Sequence, residues 1–317
     1  MLVESPLKLN EEEVRKFSEK YIMSLEYEYL FNAESLRCSS QKARIKSIED
    51  RIFSEADLLE KYSNPEVLDV GSSRICSVGT ISPFPGHKIS LRACDALAPA
   101  YNVQNKLYGL KPYVEVEFAF VERLTEKYPP DSFDIVRMRN ALDHCYDPFI
   151  GVFEMLRVVK KGGTVRLIHA ENEAEREMHY GMHQWNITSK GADSMLIWRE
   201  GFSADLRDIL GGAVSIHTEA KTNDKGIKMI HTDIVKLDDI EISVKTGMNI
   251  LDDTMITFCM MKNCGRFESA YRKVFHRSPF SKSIFRKMID SSPIRMRKHI
   301  PQWIKRPVKT ILNRIGH

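Results

Sequence analysis

Residues 64–79 of this 317-residue chain read NPEVLDVGSSRICSVG, and this stretch decides the fold. Its apolar run, residues 67–70, is short and β-type, and it ends at Gly71 and a group of small polar residues. A buried strand that opens into a tight glycine loop suits ligand binding, because backbone N–H groups there can reach the polar edge of a ligand. We therefore predict a strand, a loop and then a helix, with a small molecule bound at the loop.

The composition is that of a folded protein that is not secreted. Apolar residues make up 43% of the chain, enough for a full hydrophobic core. The sequence contains no long apolar run of the kind that spans a membrane, and residues 1–10 lack the order of a signal peptide. The six cysteines are scattered without zinc-site spacing. We expect reduced thiols in a cytoplasmic protein.

Positive charge is concentrated at the C-terminus. The chain has a formal net charge of +4, but residues 277–317 hold eleven Lys and Arg residues against one acid, Asp290, a net of +10, so the rest carries −6. Apolar residues at helical spacing and Trp303 accompany these cations, a pattern typical of helices that lie on anionic membranes. We expect a peripheral protein on the inner membrane face. Docking of this segment onto the rest of the chain or onto a protein partner is the alternative.

Other partners are less well specified by the sequence. The body of the chain is acidic and lacks a sheet with interleaved aromatic and basic residues, so no nucleic-acid partner is expected. The oligomeric state is left open.

Strand and helix patterns alternate through the middle of the chain. We predict strands at residues 88–95, 113–120, 133–138 and 164–168, and a helix at 150–160 that ends at Gly162-Gly163. This alternation predicts an α/β fold with a doubly wound, mostly parallel sheet. Further on, residues 213–217 are predicted as a strand and 227–235 as a hairpin insertion.

The two ends of the chain are predicted to be helical. Residues 10–30 and 40–62 have helical patterns, the second with a restart near residues 54–57. We divide the chain into an N-terminal helical cap (1–62), a central ligand-binding domain (63–265) and a basic amphipathic tail (266–317).

The motifs of the central domain resemble, in their order, those of class I S-adenosylmethionine-dependent methyltransferases. They are residues 67–72, then Asp95, then residues 131–136, then residues 154–163. The resemblance covers about residues 60–265 and implies a Rossmann-like sheet of seven strands, with 254–261 as the last, antiparallel strand. It also implies S-adenosylmethionine as the cofactor.

The same resemblance assigns the cofactor contacts. Asp69, Gly71 and Ser72 would hold the methionine part, and Val121 would lie beside the adenine. Asp95 lies 26 residues after Asp69, the spacing at which doubly wound folds place an acid on ribose hydroxyls. Asn140, which follows the fourth strand, is a further expected cofactor contact.

Histidines cluster after the fourth and fifth predicted strands. Four of the ten lie within residues 139–148, 169–173 and 179–186. Methyl transfer to a hydroxyl requires removal of its proton, and histidine is a suitable general base. We predict His144 as the base, oriented by Asp143 or Asp147, with His183 or His169 as the competing base.

A divalent cation offers a second way to activate a hydroxyl. Asp143, Glu171 and Asn172 could supply the oxygen ligands that magnesium prefers. The acid–Asn pair is similar to that of catechol-type metal-dependent O-methyltransferases. We keep the metal as the less favoured alternative.

The run Gln184-Trp185-Asn186 is typical of a sugar contact, since a tryptophan face and amides can meet a sugar ring and its hydroxyls. The loop motifs also resemble those of bacterial methyltransferases encoded with surface-polysaccharide assembly enzymes. We therefore expect an O-methyltransferase that acts on a sugar hydroxyl of a lipid-linked surface polysaccharide. A small-molecule or lipid hydroxyl is the alternative acceptor, and a non-catalytic binding module is the third possibility.

Overall fold

A computed structural model describes residues 1–8, 12, 51–107 and 109–243 of the chain. Its centre is a seven-stranded sheet with the order β10-β11-β6-β5-β2-β3-β4. These strands are β2 (Glu66–Val70), β3 (Ser90–Asp95), β4 (Val116–Phe118), β5 (Phe133–Arg139), β6 (Val159–Ala170), β10 (Val214–Thr222) and β11 (Lys228–Lys236). From β4 to β6 all neighbours are parallel, whereas β11 runs antiparallel to both β6 and β10. The predicted Rossmann-like, mostly parallel α/β sheet is confirmed.

Two small sheets flank the central one. The first pairs β1 (Leu2–Val3) in parallel with β12 (Glu241–Ile242), and the second is antiparallel and consists of β7 (Asn186–Thr188), β8 (Leu196–Arg199) and β9 (Phe202–Asp205). The helices are α1 (Ala56–Leu59), α2 (Ala98–Leu107), α3 (Leu124–Lys127), α4 (Pro148–Val158), α5 (Glu173–Arg176) and α6 (Leu206–Leu210), with 3₁₀ turns at Val121–Arg123, Leu142–His144 and Gly211–Ala213.

Helix α4 packs within the hydrophobic core. All its residues except Arg157 are buried. Its start is well specified, because the side chain of Asp147 accepts the N–H groups of Phe149 and Ile150, at 3.0 and 3.1 Å, and Pro148 occupies the first turn. The packing of this helix on the sheet fixes the loop that precedes it.

The helix predicted after the glycine loop is not present. Residues 71–89 form turns, bends and one isolated bridge between Ile81 and Ile52. Backbone hydrogen bonds join residues 78–81 to residues 51–54, which are distant in sequence, and these contacts take the place of helical hydrogen bonds. A ligand at this loop therefore does not meet a helix N-terminus.

The end of α4 also differs from the prediction. The helix ends at Val158, before Gly162, and residues 159–163 already belong to β6. Gly162 does have a positive φ of 80°, but it lies in an irregularity of the β5–β6 pairing. Gly163 permits a close approach, because an added Cβ would lie 2.7 Å from the carbonyl oxygen of Asp134.

The predicted hairpin insertion is wrong for a related reason. The hairpin at residues 214–236 is not an insertion, because β11 pairs along its length with β6 and completes seven strands. Residues 254–261 lie outside the described part of the chain. So do residues 13–50 of the predicted cap and the whole of the predicted tail, 266–317.

Within the described residues, none of the helices combines the length and the apolar character needed to cross a bilayer. The restart predicted near residues 54–57 corresponds to α1. Just before it, Glu55 turns its carboxylate away from the helix and towards Arg137, with which it forms hydrogen bonds of 2.7–3.0 Å.

Candidate functional site

A cavity of about 330 Å³ opens at the carboxyl ends of the parallel strands. Its wall includes Gly71 after β2, Asp95 at the end of β3, Val121 after β4 and Asn140 after β5. Open α/β sheets bind ligands at this edge, where the loops of neighbouring strands meet. The volume falls within the roughly 300–1,000 Å³ of small-molecule sites.

Gly71 allows the loops after β2 and β5 to touch. Its φ is +66°, and a Cβ at this position would lie 2.6 Å from the Cβ of Ala141. No other residue type meets both conditions, because L side chains avoid positive φ and any side chain would clash here.

Asp95, at the end of the neighbouring strand β3, holds the glycine loop by hydrogen bonds. Its Oδ2 accepts the N–H of Ser73 at 2.9 Å, and its Oδ1 accepts the N–H of Leu97 at 2.7 Å. Each carboxylate oxygen has a second lone pair, so the acid remains able to accept further hydrogen bonds. Ser73 lines the cavity, whereas the predicted Ser72 does not and is largely buried.

Asp69 lies behind the cavity, not on its wall. It is 2% exposed, and its Oδ1 accepts a hydrogen bond from Arg137 at 2.5 Å. Since Arg137 also binds Glu55, the three side chains form a buried ion-pair network under the loop. The structure thus places Asp69, predicted as a cofactor contact, under the loop and off the cavity wall.

Val121 and Glu122 begin a 3₁₀ turn after β4, and both line the cavity. The Glu122 carboxylate accepts the N–H of Tyr146 at 2.7 Å, and burial raises its pKa to about 7.

Asn140 has a positive φ of 46° and joins the end of β5 to the end of β6, because its Oδ1 accepts the N–H of Ala170 at 3.1 Å.

Three polar side chains converge beside this cavity. Nδ1 of His183 lies 2.7 Å from Oδ2 of Asp143, and Nε2 of His144 lies 3.4 Å from the same oxygen. The two ring nitrogens are 3.2 Å apart. His144 lies on the cavity wall, while Asp143 is 1% exposed behind it. We call these three residues the Asp–His–His cluster.

The contacts within the cluster shift the pKa values of Asp143 and His183 in opposite directions. Burial raises the pKa of Asp143, but the neighbouring His144 and His183 outweigh this effect and hold it below its usual value. Burial lowers the pKa of His183, but its hydrogen bond to Asp143 and the surrounding acids raise it overall. His169, 1% exposed, is different: burial lowers its pKa to about 4, so it is neutral at pH 7.

The cluster depends on a contact between distant segments. The N–H of Gln184 donates to the carbonyl of Asp143 at 3.0 Å, which ties residues 183–185 to the loop after β5. Asp147, the alternative orienting acid, caps α4 and accepts the hydroxyl of Ser5 at 2.6 Å. Asp143 is thus the acid that meets the histidines.

The predicted oxygen ligands for a metal do not assemble. Oε1 of Glu171 accepts hydrogen bonds from Thr188 (2.7 Å) and Lys228 (2.8 Å), and Oδ1 of Asn172 accepts one from Trp198 (3.1 Å). Among the described residues, the set of acids, histidines and cysteines close enough to share one ion is the Asp–His–His cluster.

The predicted sugar-binding run is mostly part of the core. Trp185 is 0% exposed, its Nε1 donates to the carbonyl of Cys145 at 3.0 Å, and its ring packs edge-on against Phe149 and Phe202. Asn186 is also fully buried and accepts the N–H of Glu175. Gln184 is half-buried and donates to the carbonyl of Gly181. Trp185 and Asn186 therefore cannot contact an acceptor in this structure.

Sequence reasoning missed several residues of the site. Glu173 is close enough to Asp143 and His183 for their charges to act on its carboxyl, and burial raises its pKa to about 7. Tyr101 and Met182 line the cavity. Only Glu173 carried a signal in the sequence, because it belongs to the polar stretch 171–173 that directly follows β6.

The strand order and the cavity at the carboxyl edge of the sheet define a Rossmann-like domain. Residues 68–167 match a family model described as a methyltransferase domain. The matched region runs from β2 to β6 and includes the loops after β2 to β5 that line the cavity, so this part of the chain is similar to methyltransferase domains. No curated protein sequence gives a significant match to the chain.

Solved structures with a similar fold include several methyltransferases. The YcgJ protein from Bacillus subtilis is 18% identical, with 61% of this chain and 95% of that chain covered and a TM-score of 0.30. The 1,6-didemethyltoxoflavin-N1-methyltransferase from Burkholderia thailandensis, solved with S-adenosylhomocysteine, is 14% identical, with 74% and 93% covered and a TM-score of 0.42. The N-methyltransferase NodS from Bradyrhizobium japonicum is 10% identical, with 56% and 81% covered and a TM-score of 0.38.

Proposed function

We propose that the chain transfers the methyl group of S-adenosylmethionine to a hydroxyl of a sugar, with the acceptor bound beside the Asp–His–His cluster. The observation that carries this proposal is the position of His144 on the cavity wall, with Asp143 and His183 behind it. A neutral hydroxyl is a poor nucleophile, and groups that remove its proton are what such a transfer needs.

The cofactor would occupy the cavity between the loops after β2, β3 and β4. Asp95 would accept hydrogen bonds from the ribose hydroxyls, and Gly71 would let the backbone approach the methionine part. Val121 and Phe120 would supply apolar surface for the adenine. Buried Asp69 would act indirectly by holding Arg137 and thereby the loop.

We infer a sugar as the acceptor class from the polar residues on the cavity wall near His144. Arg139 and Asn140 lie on the cavity wall beside His144, and both offer hydrogen-bond donors to hydroxyls. The basic segment 277–317 supports attachment to an anionic membrane and hence a lipid-linked glycan, although it lies outside the described residues.

Transfer of labelled methyl groups tests the acceptor. Purified protein is incubated with methyl-labelled S-adenosylmethionine and either lipid-linked glycans from its host or a panel of small hydroxylated compounds. We expect label in the glycans, lost in His144→Ala and retained in His217→Ala, which changes an exposed histidine on β10. Cofactor binding without label in any glycan would contradict the sugar assignment.

The membrane proposal has a separate test. Deletion of residues 277–317 should abolish sedimentation of the protein with anionic liposomes. Sedimentation equal to that of the full chain would exclude this segment as the membrane anchor.

A further inference from the structure

We propose that the Asp–His–His cluster binds a divalent first-row transition metal ion. Its ligand atoms would be Oδ2 of Asp143, Nε2 of His144 and Nδ1 of His183. The three atoms form a triangle with sides of 2.7, 3.2 and 3.4 Å.

The size of this triangle matches the face of a metal coordination polyhedron. With metal–ligand bonds of about 2.1 Å, neighbouring ligand atoms are about 3.0 Å apart in an octahedron and about 3.4 Å apart in a tetrahedron. Two imidazole nitrogens that face each other at 3.2 Å need either a shared proton or a shared cation between them.

An unpartnered buried oxygen is the second observation. Oδ1 of Asp143 has no hydrogen-bond partner among the described residues, although the side chain is only 2% exposed. A buried carboxylate with one bare oxygen is costly unless a full positive charge lies beside it. A divalent ion on the Oδ2 side would supply that charge.

A nearby histidine is also unpartnered. His169 is 1% exposed, and neither of its ring nitrogens has a hydrogen-bond partner within the described ranges. The charge of Asp143 acts on this ring. Asp143 and His169 are thus two neighbouring buried side chains whose polar atoms are not all satisfied by described residues.

The donor set selects the type of metal. Two imidazoles and one carboxylate suit zinc, iron(II), cobalt or manganese better than magnesium or calcium, which prefer oxygen ligands only. Three protein ligands also leave a coordination position open, as in catalytic metal sites. Since His144 lines the cavity, that position is accessible to a ligand in the cavity.

The catalytic consequence rests on the proposed function. An acceptor hydroxyl bound through its oxygen to the metal ion would have a lowered pKa and would lose its proton to water. The oxygen would then attack the sulfonium methyl group: the O–CH₃ bond forms, the C–S bond breaks, and the sulfur keeps the electron pair as a neutral thioether. No oxidant or reductant is consumed.

Cobalt(II) is a suitable probe for this site. The full chain, without a polyhistidine tag, is stripped with chelator and titrated with Co²⁺, followed by visible absorption and calorimetry. We expect one equivalent to bind to the wild type and to His217→Ala. Binding should weaken at least tenfold in His144→Ala and in His183→Ala, because loss of even an outer partner of a metal ligand costs that much.

His144→Ala is the decisive variant, because His144 is the cluster histidine on the cavity wall. One-fifth of its side chain is exposed, so we expect the fold to tolerate the substitution. Circular dichroism checks that it is folded. Co²⁺ affinity equal to wild type in the folded His144→Ala variant would overturn the proposal. So would a wild-type dissociation constant weaker than about 1 mM.

The labelled-methyl assay separates this proposal from the proposed function. Methyl transfer that persists in chelator, with no Co²⁺ bound, would overturn the metal site and leave the O-methyltransferase with an imidazole base. One bound Co²⁺ without methyl transfer to any hydroxyl would support the metal site and contradict the proposed function.

Discussion

Gly71 and Ala141 approach so closely that a Cβ added to Gly71 would lie 2.6 Å from the Cβ of Ala141. This contact joins the loop after β2 to the loop after β5, the two loops that carry the expected cofactor and acceptor contacts. Gly71→Ala should therefore disturb both. We expect binding of S-adenosylhomocysteine, measured by calorimetry, to fall at least tenfold.

Gly86→Ala is the matched control for this substitution. Gly86 also has a positive φ, +81°, but an added Cβ would meet nothing within 4 Å. Both variants carry the backbone cost of roughly 1–2 kcal/mol, whereas only Gly71→Ala creates a clash. Equal loss of binding in both would show that the contact with Ala141 is unimportant.

Asp95→Asn should weaken cofactor binding while the loop stays folded. An amide oxygen can still accept one of the two N–H groups that Asp95 holds, but the charge is lost. A hydrogen bond to a charged group contributes about 1.5–3 kcal/mol, so we expect about 10- to 150-fold weaker binding of S-adenosylhomocysteine. Asp134→Asn is the control, since Asp134 also accepts a backbone N–H, that of Glu66, but does not line the cavity.

Trp185→Phe distinguishes a core residue from an acceptor platform. Phenylalanine keeps the aromatic packing against Phe149 and Phe202 but loses the hydrogen bond to Cys145. We expect the free energy of unfolding to fall by about 1–3 kcal/mol, with the KM for the acceptor unchanged. A higher KM at unchanged stability would restore the sugar-stacking interpretation.

Arg137→Met should be among the most destabilising substitutions in the sheet. It would leave Glu55 and Asp69, 6% and 2% exposed, as buried carboxylates without a cation. We expect a loss of about 3–5 kcal/mol in chemical denaturation. Arg207→Met, which removes an exposed ion pair with Asp193, should leave the unfolding midpoint almost unchanged. Similar midpoints for the two variants would contradict this role of the network.

Glu122 makes a pH-dependent contribution to stability. Burial raises its pKa in the folded chain to about 7 from the usual 4.5, so folding takes up a proton between these pH values. Its stabilising contribution is complete below about pH 4.5 and is lost as the pH rises to about 7. Relative to wild type, Glu122→Gln should therefore gain stability from pH 5 to 8, by up to about 3 kcal/mol. Parallel pH curves of unfolding free energy for the two proteins would contradict the assignment.

Local pattern was sufficient to predict the parallel half of the fold. The strands at residues 66–70, 90–95 and 133–139 and the helix before Val159 follow from runs of apolar residues and from turn residues between them, all within short windows of sequence. The errors occurred where distant segments decide local structure. Residues 78–81 are not helical because they bind residues 51–54, and the hairpin at 214–236 joins the main sheet because β11 pairs with β6.

The same division holds for the site. The sequence by itself determined a glycine loop, an acid after the second strand and histidines after the fourth and fifth, since parallel strands bring their carboxyl ends to one edge. Only the tertiary structure decided which of these side chains meet. It placed Asp143 with His144 and His183, assigned Asp147 to a helix cap, and buried Trp185 in the core. The physical reason is that burial and side-chain contact depend on packing between segments some forty residues apart, which no local spacing encodes.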